Sequence, residues 1–143
     1  MAVFSQETTI NRSLEDVFAY VSDMTKHGEW GGHNLEVKQT SNGSIGVGAT
    51  FASTAQQFGT QRETQTIVDY SPGKRFAFEA KGGLGLARHV FDLTPDGGGT
   101  RVSKSMELTK PSFLARLMSM KIKGDQAKAL PQDLQRIKQK LES

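Results

Sequence analysis

Cysteine is absent from this sequence of 143 residues, which excludes disulfides, thiolate nucleophiles and cysteine metal ligands. No apolar run approaches 18 residues, so no membrane-spanning helix is predicted. The first seven residues lack the basic and apolar regions of a signal peptide, and we therefore expect a cytoplasmic protein. Hydrophobic content is only 36% and glycine is frequent, with 15 residues. Because the apolar residues are strongly patterned, polar sheet surfaces and tight turns explain this composition better than disorder.

The positive charge of the chain is concentrated at its C-terminal end. Residues 110–143 hold eight Lys/Arg and three Asp/Glu, whereas the whole chain has a net charge of only +3. This excess fits a solvated helix face, and it also fits peripheral contact with an anionic membrane. Aromatic residues do not alternate with these basic residues, which argues against a base-stacking surface, and no nucleic-acid partner is expected.

The order of patterns predicts one strand, two short helices, a sheet and a terminal helix. Residues 2–10 alternate as a strand, Ser13 is a suitable N-cap for a helix that ends at Val21, and a helical turn follows over 24–27. Six further strands are predicted at 35–40, 49–58, 61–70, 75–80, 86–94 and 100–109. The connections are too short for crossover helices, so the sheet is expected to be antiparallel.

A helical tail completes the chain. Pro111 can start it, and apolar residues recur at helical spacing on both sides of Gly124 and Pro131. These two residues predict a kink or a break near 124–131. A long helix that follows a sheet can bury its apolar stripe only against that sheet. We therefore predict a single α+β domain over 1–143, with a curved sheet of about seven strands wrapped around the helix and a hollow between them.

Several segments resemble the START-like helix-grip superfamily (SRPBCC), in its polyketide cyclase/dehydrase and lipid transport branch. The matching segments cover nearly the whole chain: residues 10–23 with Trp30, 46–51, 68–76, 91–95 with 99–102, and 134–142. The resemblance implies the helix-grip fold and an internal cavity. It leaves the function open, because this superfamily includes lipid carriers, cyclases and hydrolases.

The alternation of side chains along each strand predicts which residues face the hollow. Large apolar residues fix the inward face of most strands, whereas Val68 and Tyr70 compete with Ile67 to set the face of the fourth. A bulge would invert the faces beyond it. The predicted ligand-binding residues are Trp30, Phe51, Ser53, Glu63, Phe76, Phe78, His89, Phe91, Lys104, Met106, Leu117 and Met118.

Three polar residues on the predicted inward face are candidates for chemistry. His89 is either a neutral histidine satisfied by a neighbour or a ligand-contacting or acid–base residue. Lys104 either extends to the rim or forms an ion pair with Glu63 or a ligand carboxylate. Glu63 could equally lie at the surface. Trp30 is a core plug or a wall against which a ligand stacks, and the glycine-rich loop suggests that His27 and His33 are exposed.

Three functions remain open at this stage. The first is binding of a small hydrophobic or amphipathic molecule, such as a lipid, polyketide or aromatic compound. The second is a cyclase or dehydrase that uses His89 with Glu63 or Lys104, since no nucleophile motif is present. The third is a membrane- or protein-docking module that uses the basic terminal helix. No metal or cofactor is expected, and the protein could be a monomer or a homodimer.

Overall fold

The computed structural model describes residues 3–143, which form a seven-stranded sheet and three α-helices with one 3₁₀ helix. The elements in chain order are β1 (Val3–Ile10), α1 (Leu14–Val21), the 3₁₀ helix (Met24–Glu29), β2 (Glu36–Gln39), β3 (Thr50–Gln56), β4 (Thr60–Ser71), β5 (Arg75–Gly82), β6 (Gly85–Asp96), β7 (Gly99–Pro111), α2 (Phe113–Leu117) and α3 (Ser119–Glu142). Residue 2 of the first predicted strand lies outside the described part of the chain.

The sheet is antiparallel throughout, with strand order β1-β7-β6-β5-β4-β3-β2. Each strand from β2 to β6 pairs with the next one along the chain, and β1 pairs with β7. The predicted α+β fold, a curved sheet with a long C-terminal helix and short helices after β1, is confirmed. Local signals explain the short helices. Ser13 accepts a hydrogen bond from the Asp16 amide at 3.2 Å, which caps α1.

A β-bulge in β4 resolves the competition between Ile67 and Tyr70 for the inner face. Ile67 pairs with Phe78 and Asp69 pairs with Ala77, so Val68 is the extra residue. The inner face therefore continues from Ile67 to Tyr70, which pairs with Phe76. Ile67 and the two aromatic partners, Phe76 and Phe78, lie in the main core.

The C-terminal helical segment is broken at a different position from the one predicted. Pro111 ends β7, and Ser112 caps the separate short helix α2 by accepting a hydrogen bond from the Ala115 amide. The break lies at Met118, and α3 continues through Gly124 and Pro131. The predicted break at 124–131 is therefore wrong. The apolar stripe explains the continuity, because buried residues on both sides of Pro131 hold one helix axis against the sheet: Ile122, Leu130, Leu134, Ile137 and Leu141.

The main core lies between the concave face of the sheet, α1 and the C-terminal half of α3. Phe51, Phe76 and Phe91 are fully buried in it. Each contributes about 2–3 kcal/mol by removal of apolar surface from water. A smaller cluster of Leu84, Ala115 and Ile122 forms under α2, at the other end of the sheet.

Candidate functional site

A partly open cavity of about 130 Å³ lies between the sheet, the 3₁₀ helix with its following loop, and α3. Its walls combine apolar and polar side chains: Met24, His27, Trp30, His33, Leu35, Val37, Ala55, Gln57, Glu63, Gln65, Phe78, His89, Lys104, Gln126, Ala129 and Asp133. A second chamber of about 80 Å³ reaches toward α2. The two chambers share Gln57, Glu63, His89 and Gln126, so these four residues stand between them.

The residues predicted to bind ligand separate into three groups in the structure. Trp30, Glu63, Phe78, His89 and Lys104 line the main cavity, and Met106 lines the second chamber. Phe51, Phe76 and Phe91 lie in the packed core behind the cavity, and buried Ser53 accepts a hydrogen bond from the Gln65 amide. Leu117 is exposed and Met118 packs in the small cluster under α2, so neither lines a chamber.

Lys104 is buried and forms an ion pair with Asp133 of α3. Its Nζ lies 3.6 Å from Asp133 Oδ2, while Asp133 Oδ1 accepts a hydrogen bond from Arg136 at 2.9 Å. The predicted rim position of Lys104 and its predicted pairing with Glu63 are therefore wrong. Strand alternation indicated the direction of Lys104, but its partner comes from another element. Burial lowers the pKa of Lys104, and the charge of Asp133 opposes that shift.

Two aromatic rings lie beside the end of this ion-pair network that faces the cavity. The ammonium of Lys104 lies 5.5 Å from the ring centroid of Trp30 and 5.8 Å from that of Phe91, within range of cation–π attraction. Arg136 donates a hydrogen bond from Nε to the Trp30 carbonyl at 2.6 Å. Two cations thus flank one carboxylate, which leaves the network with a net positive charge beside an apolar wall.

His27 is buried, so the prediction that it is exposed is wrong. Its Nε2 donates a hydrogen bond to the Val21 carbonyl at 2.9 Å, and its ring packs 4.6 Å from that of Trp30. Burial lowers the pKa of His27 to about 4, with a smaller contribution from the charge of Lys104. The signal in the sequence was the spacing of Met24 and His27, which places both on one face of a helical turn.

His89 and Glu63 are the two groups shared by both chambers that can exchange protons. The His89 ring stacks on Phe78 with centroids 4.7 Å apart. Burial, reinforced by the charges of Lys104 and His27, holds the pKa of His89 well below its usual range. Burial also raises the pKa of Glu63, which lies half-buried. Both shifts follow from removal of water around a charged group.

Four cavity-lining residues have a buried polar atom without a hydrogen-bond partner within residues 3–143: Trp30 Nε1, His33 Nε2, Gln65 Oε1 and His89 Nδ1. His33 Nε2 lies 3.2 Å from the Asp125 carboxylate, which leaves the atoms on Trp30, Gln65 and His89 without a charged partner of this kind. Burial of such an atom costs free energy unless a ligand or water satisfies it. Together with the Lys104 ammonium, these atoms line a volume whose remaining walls combine aliphatic and aromatic side chains with a few polar ones, such as Gln57, Glu63 and Gln126. That composition is typical of a small-molecule site.

One polar cluster, formed by His33, Gln57 and Asp125, lies at the edge of the cavity. Asp125 of α3 lies 3.2 Å from His33 Nε2 and accepts a hydrogen bond from the Gln57 amide at 2.7 Å. His33 is therefore half-buried and tied to α3, not freely exposed as predicted. The cluster connects the glycine-rich loop and the end of β3 to the helix. It could not be predicted from local patterns, because its three residues are far apart in the chain.

Three larger depressions lie on the outside of the protein. One of about 390 Å³ lies along β2, β3 and β4, one of about 710 Å³ lies between α1 and the turn after β4, and one of about 320 Å³ lies between β1 and α3. None of them contains the unpartnered buried atoms, so the cavity between the sheet and α3 is the better candidate. Within residues 3–143, no group of three His, Asp or Glu residues is placed to hold a metal ion. No helix in the same residues is both long and apolar enough to span a membrane.

A seven-stranded antiparallel sheet that holds a C-terminal helix over an internal cavity defines the helix-grip class of proteins. The chain belongs to the polyketide cyclase/dehydrase and lipid transport family, which it matches over residues 1–142. This match confirms the predicted family, and the family fits a ligand-binding cavity of this kind. No curated protein sequence matches the chain.

Solved structures with low sequence identity share the fold. Protein CV1439 from Chromobacterium violaceum superposes with a TM-score of 0.77 at 13% identity, covering 100% of this chain and 99% of that one. TTHA0849 from Thermus thermophilus has a TM-score of 0.70 at 21% identity, with 95% and 97% covered. DynU16, a protein of the dynemicin biosynthetic locus, has a TM-score of 0.64 at 15% identity, with 99% and 47% covered. At these identities the similarity establishes the fold alone.

Proposed function

We propose that the protein binds a small amphipathic molecule in the cavity between the sheet and α3, and that this molecule carries an anionic group. The observation that carries the proposal is the set of unpartnered polar atoms on Trp30, Gln65 and His89 around one cavity. These atoms, with Lys104, supply hydrogen-bonding groups to the site, and Met24, Leu35 and Phe78 supply an apolar surface.

The anionic group is inferred from Lys104. The Lys104 ammonium has three N–H donors, and one Asp133 oxygen lies beside it. That oxygen can satisfy at most one of the three donors. The nearby Arg136 shares the same carboxylate and leaves a net positive charge. His27 and His89 are neutral because burial lowers their pKa values, so the positive charge at the cavity comes from Lys104 and Arg136. A carboxylate would thus gain charge-assisted hydrogen bonds at this position.

The size of the cavity favours a ring-sized molecule over a long lipid. Drug-sized ligands occupy sites of roughly 300–1,000 Å³, whereas an engineered apolar cavity of about 150 Å³ holds one benzene. The main cavity, at about 130 Å³, belongs to the second class. The lipid and polyketide ligands considered from the sequence would need the cavity to open further.

The test uses the single tryptophan of the chain, Trp30, as a reporter in the cavity wall. Benzoate should change Trp30 fluorescence and raise the melting temperature, whereas benzyl alcohol and palmitate should bind more weakly. Lys104→Met should weaken benzoate binding by about 10-fold or more, because a hydrogen bond to a charged group contributes roughly 1.5–3 kcal/mol. Binding of benzyl alcohol should change little.

Lys140→Met, on an exposed part of the same helix, is the matched control and should bind benzoate as the wild type does. Native mass spectrometry of the purified protein would identify a retained ligand directly. A retained long-chain lipid, or benzoate binding that is indifferent to Lys104→Met, would contradict the proposal.

The cyclase or dehydrase alternative uses the same cavity. It is favoured by the coexistence of His89 and Glu63 on one wall with pKa values shifted in opposite directions by burial. Acid–base catalysis by this pair, the cytoplasmic location and the oligomeric state all stay predictions.

A further inference from the structure

We infer that the outer surface of α2 and the start of α3 docks on an anionic lipid bilayer. We define the docking surface by its exposed apolar residues, Phe113, Leu114, Leu117 and Met120, and its basic residues, Lys110, Arg116, Lys121 and Lys123. The inference is independent of the ligand proposed for the cavity. It rests on exposure, charge and the position of this segment in the fold.

The apolar half of the docking surface is unusually exposed. Phe113, Leu117 and Met120 have exposed fractions of 77%, 69% and 78%, and Leu114 has 47%. These four residues lie within eight positions of the chain and account for half of the large hydrophobic side chains exposed within residues 3–143. Single exposed apolar residues are ordinary, whereas a contiguous group indicates an interaction site.

The same segment already uses its other side for packing. Ala115 and Ile122 are buried with Leu84, and Met118 and Leu108 pack against them. The phase of the helices therefore fixes Phe113, Leu114 and Leu117 on the outside. The buried side of this segment also bounds the second chamber through Ile122. The start of α3 therefore has the second chamber on its buried side and the docking surface on its exposed side.

The positive charge of this segment indicates that its partner is anionic. Four basic residues and no acidic residue occur between positions 110 and 124, and the three on α2 and α3 are exposed. Exposed Phe and Leu side chains among Lys and Arg are typical of surfaces that insert shallowly into the headgroup region of anionic membranes. A second copy of this chain fits less well, because a two-fold contact through this surface would bring its cationic residues against their equivalents.

Co-sedimentation with phosphatidylcholine vesicles, prepared with and without phosphatidylglycerol, tests the inference. The wild type should sediment with the phosphatidylglycerol vesicles, remain in solution with phosphatidylcholine alone, and be released by high salt. The combined substitution Phe113→Ser and Leu117→Ser should weaken binding by about tenfold or more. Lys121→Gln and Lys123→Gln should each weaken it by roughly fivefold.

Matched controls lie elsewhere on the surface. Val47→Ser removes an exposed apolar residue from the loop between β2 and β3, and Lys74→Gln with Lys140→Gln removes two exposed charges. Both should bind vesicles as the wild type does. Thermal unfolding checks that the docking-surface variants remain folded, as expected for exposed positions.

Two results would overturn the inference. One is vesicle binding that is absent, or that depends neither on phosphatidylglycerol nor on the docking surface. The other is a dimer in sedimentation velocity that Leu117→Ser dissociates, since this would identify a second copy as the occupant. Neither result bears on benzoate binding in the cavity, which is measured without vesicles.

Discussion

His27 shows how one buried ring couples the cavity wall to pH. Its Nε2 is held by the Val21 carbonyl, and Trp30, Phe76, Phe78 and Phe91 surround it. Protonation would place a charge among these rings and close to Lys104. The neutral ring is therefore the form that the folded protein requires.

We predict that the protein loses stability as the pH falls from about 6.5 to 4. The pKa of His27 is about 4 in the folded state, against 6.5 ordinarily, so the unfolded chain takes up the proton first. The full effect of this group is about 3 kcal/mol, at roughly 1.4 kcal/mol per pKa unit. His89 acts in the same direction, whereas the raised pKa of Glu63 makes its contribution fall as pH rises above 4.5.

Urea unfolding at several pH values measures the effect. His27→Gln keeps a donor for the Val21 carbonyl but does not titrate, so its stability should vary less with pH over this window. Lys26→Gln, at the adjacent exposed position, should retain the wild-type dependence. Equal slopes for the wild type and His27→Gln would show that the buried ring is not responsible.

Strand alternation predicted the direction of most side chains but not their partners. Lys104 and Phe78 face inward as expected, because the strand period leaves two choices and large apolar neighbours fix one. Asp133 was missed, although it lies three residues after Leu130 and four before Ile137, on the buried face of α3. Which inward-facing cation it would meet depends on how the helix crosses the sheet, and local periodicity carries no such information.

At the scale of the elements, glycine has opposite roles in two places. Gly124 lies inside α3, and a Cβ atom there would meet no atom within 4 Å. Gly85 begins β6 with φ +104°, and a Cβ atom there would overlap the Lys110 carbonyl. The first glycine costs helix stability without a packing reason, whereas the second is required by the hairpin and by the close approach of β7.

Alanine at each position should therefore have opposite effects. Gly124→Ala should stabilise the protein by about 0.5–1 kcal/mol, because alanine has the higher helix propensity. Gly85→Ala should destabilise it by about 1–3 kcal/mol or more, since a side chain there strains the backbone. Chemical denaturation measures both, and Gly98→Ala, in an open turn, is a surface control. Destabilisation by Gly124→Ala would mean that α3 needs its flexibility at this point.

The element order was predictable from the sequence, whereas the break in the tail was not. Turn residues and alternation located all seven strands, because these signals are local. A break is predicted at 124–131 because Gly124 and Pro131 are poor helix formers. Ser112 determines the real arrangement by capping a separate turn of helix, and packing of Leu130 and Leu134 against the sheet outweighs the cost of Pro131.

For the whole molecule, the grip of the sheet on α3 combines an apolar seam with one polar connection. Leu134, Ile137 and Leu141 bury their side chains in the main core. Arg136, Asp133 and Lys104 form a chain from the Trp30 carbonyl through the helix to β7. The apolar seam supplies most of the attraction. The polar chain lies at the cavity edge, where it places the Lys104 ammonium in the cavity wall.

The strength of this polar connection can be measured by a double-mutant cycle in urea unfolding. Asp133→Asn leaves the buried Lys104 without its counter-charge and should cost about 3–5 kcal/mol. Lys104→Met should cost much less, because Asp133 keeps its bond to Arg136. In the double variant part of the Asp133→Asn penalty should disappear, giving a coupling energy of roughly 1–3 kcal/mol. Additivity within about 0.5 kcal/mol would mean that the pair at 3.6 Å does not connect α3 to β7 energetically.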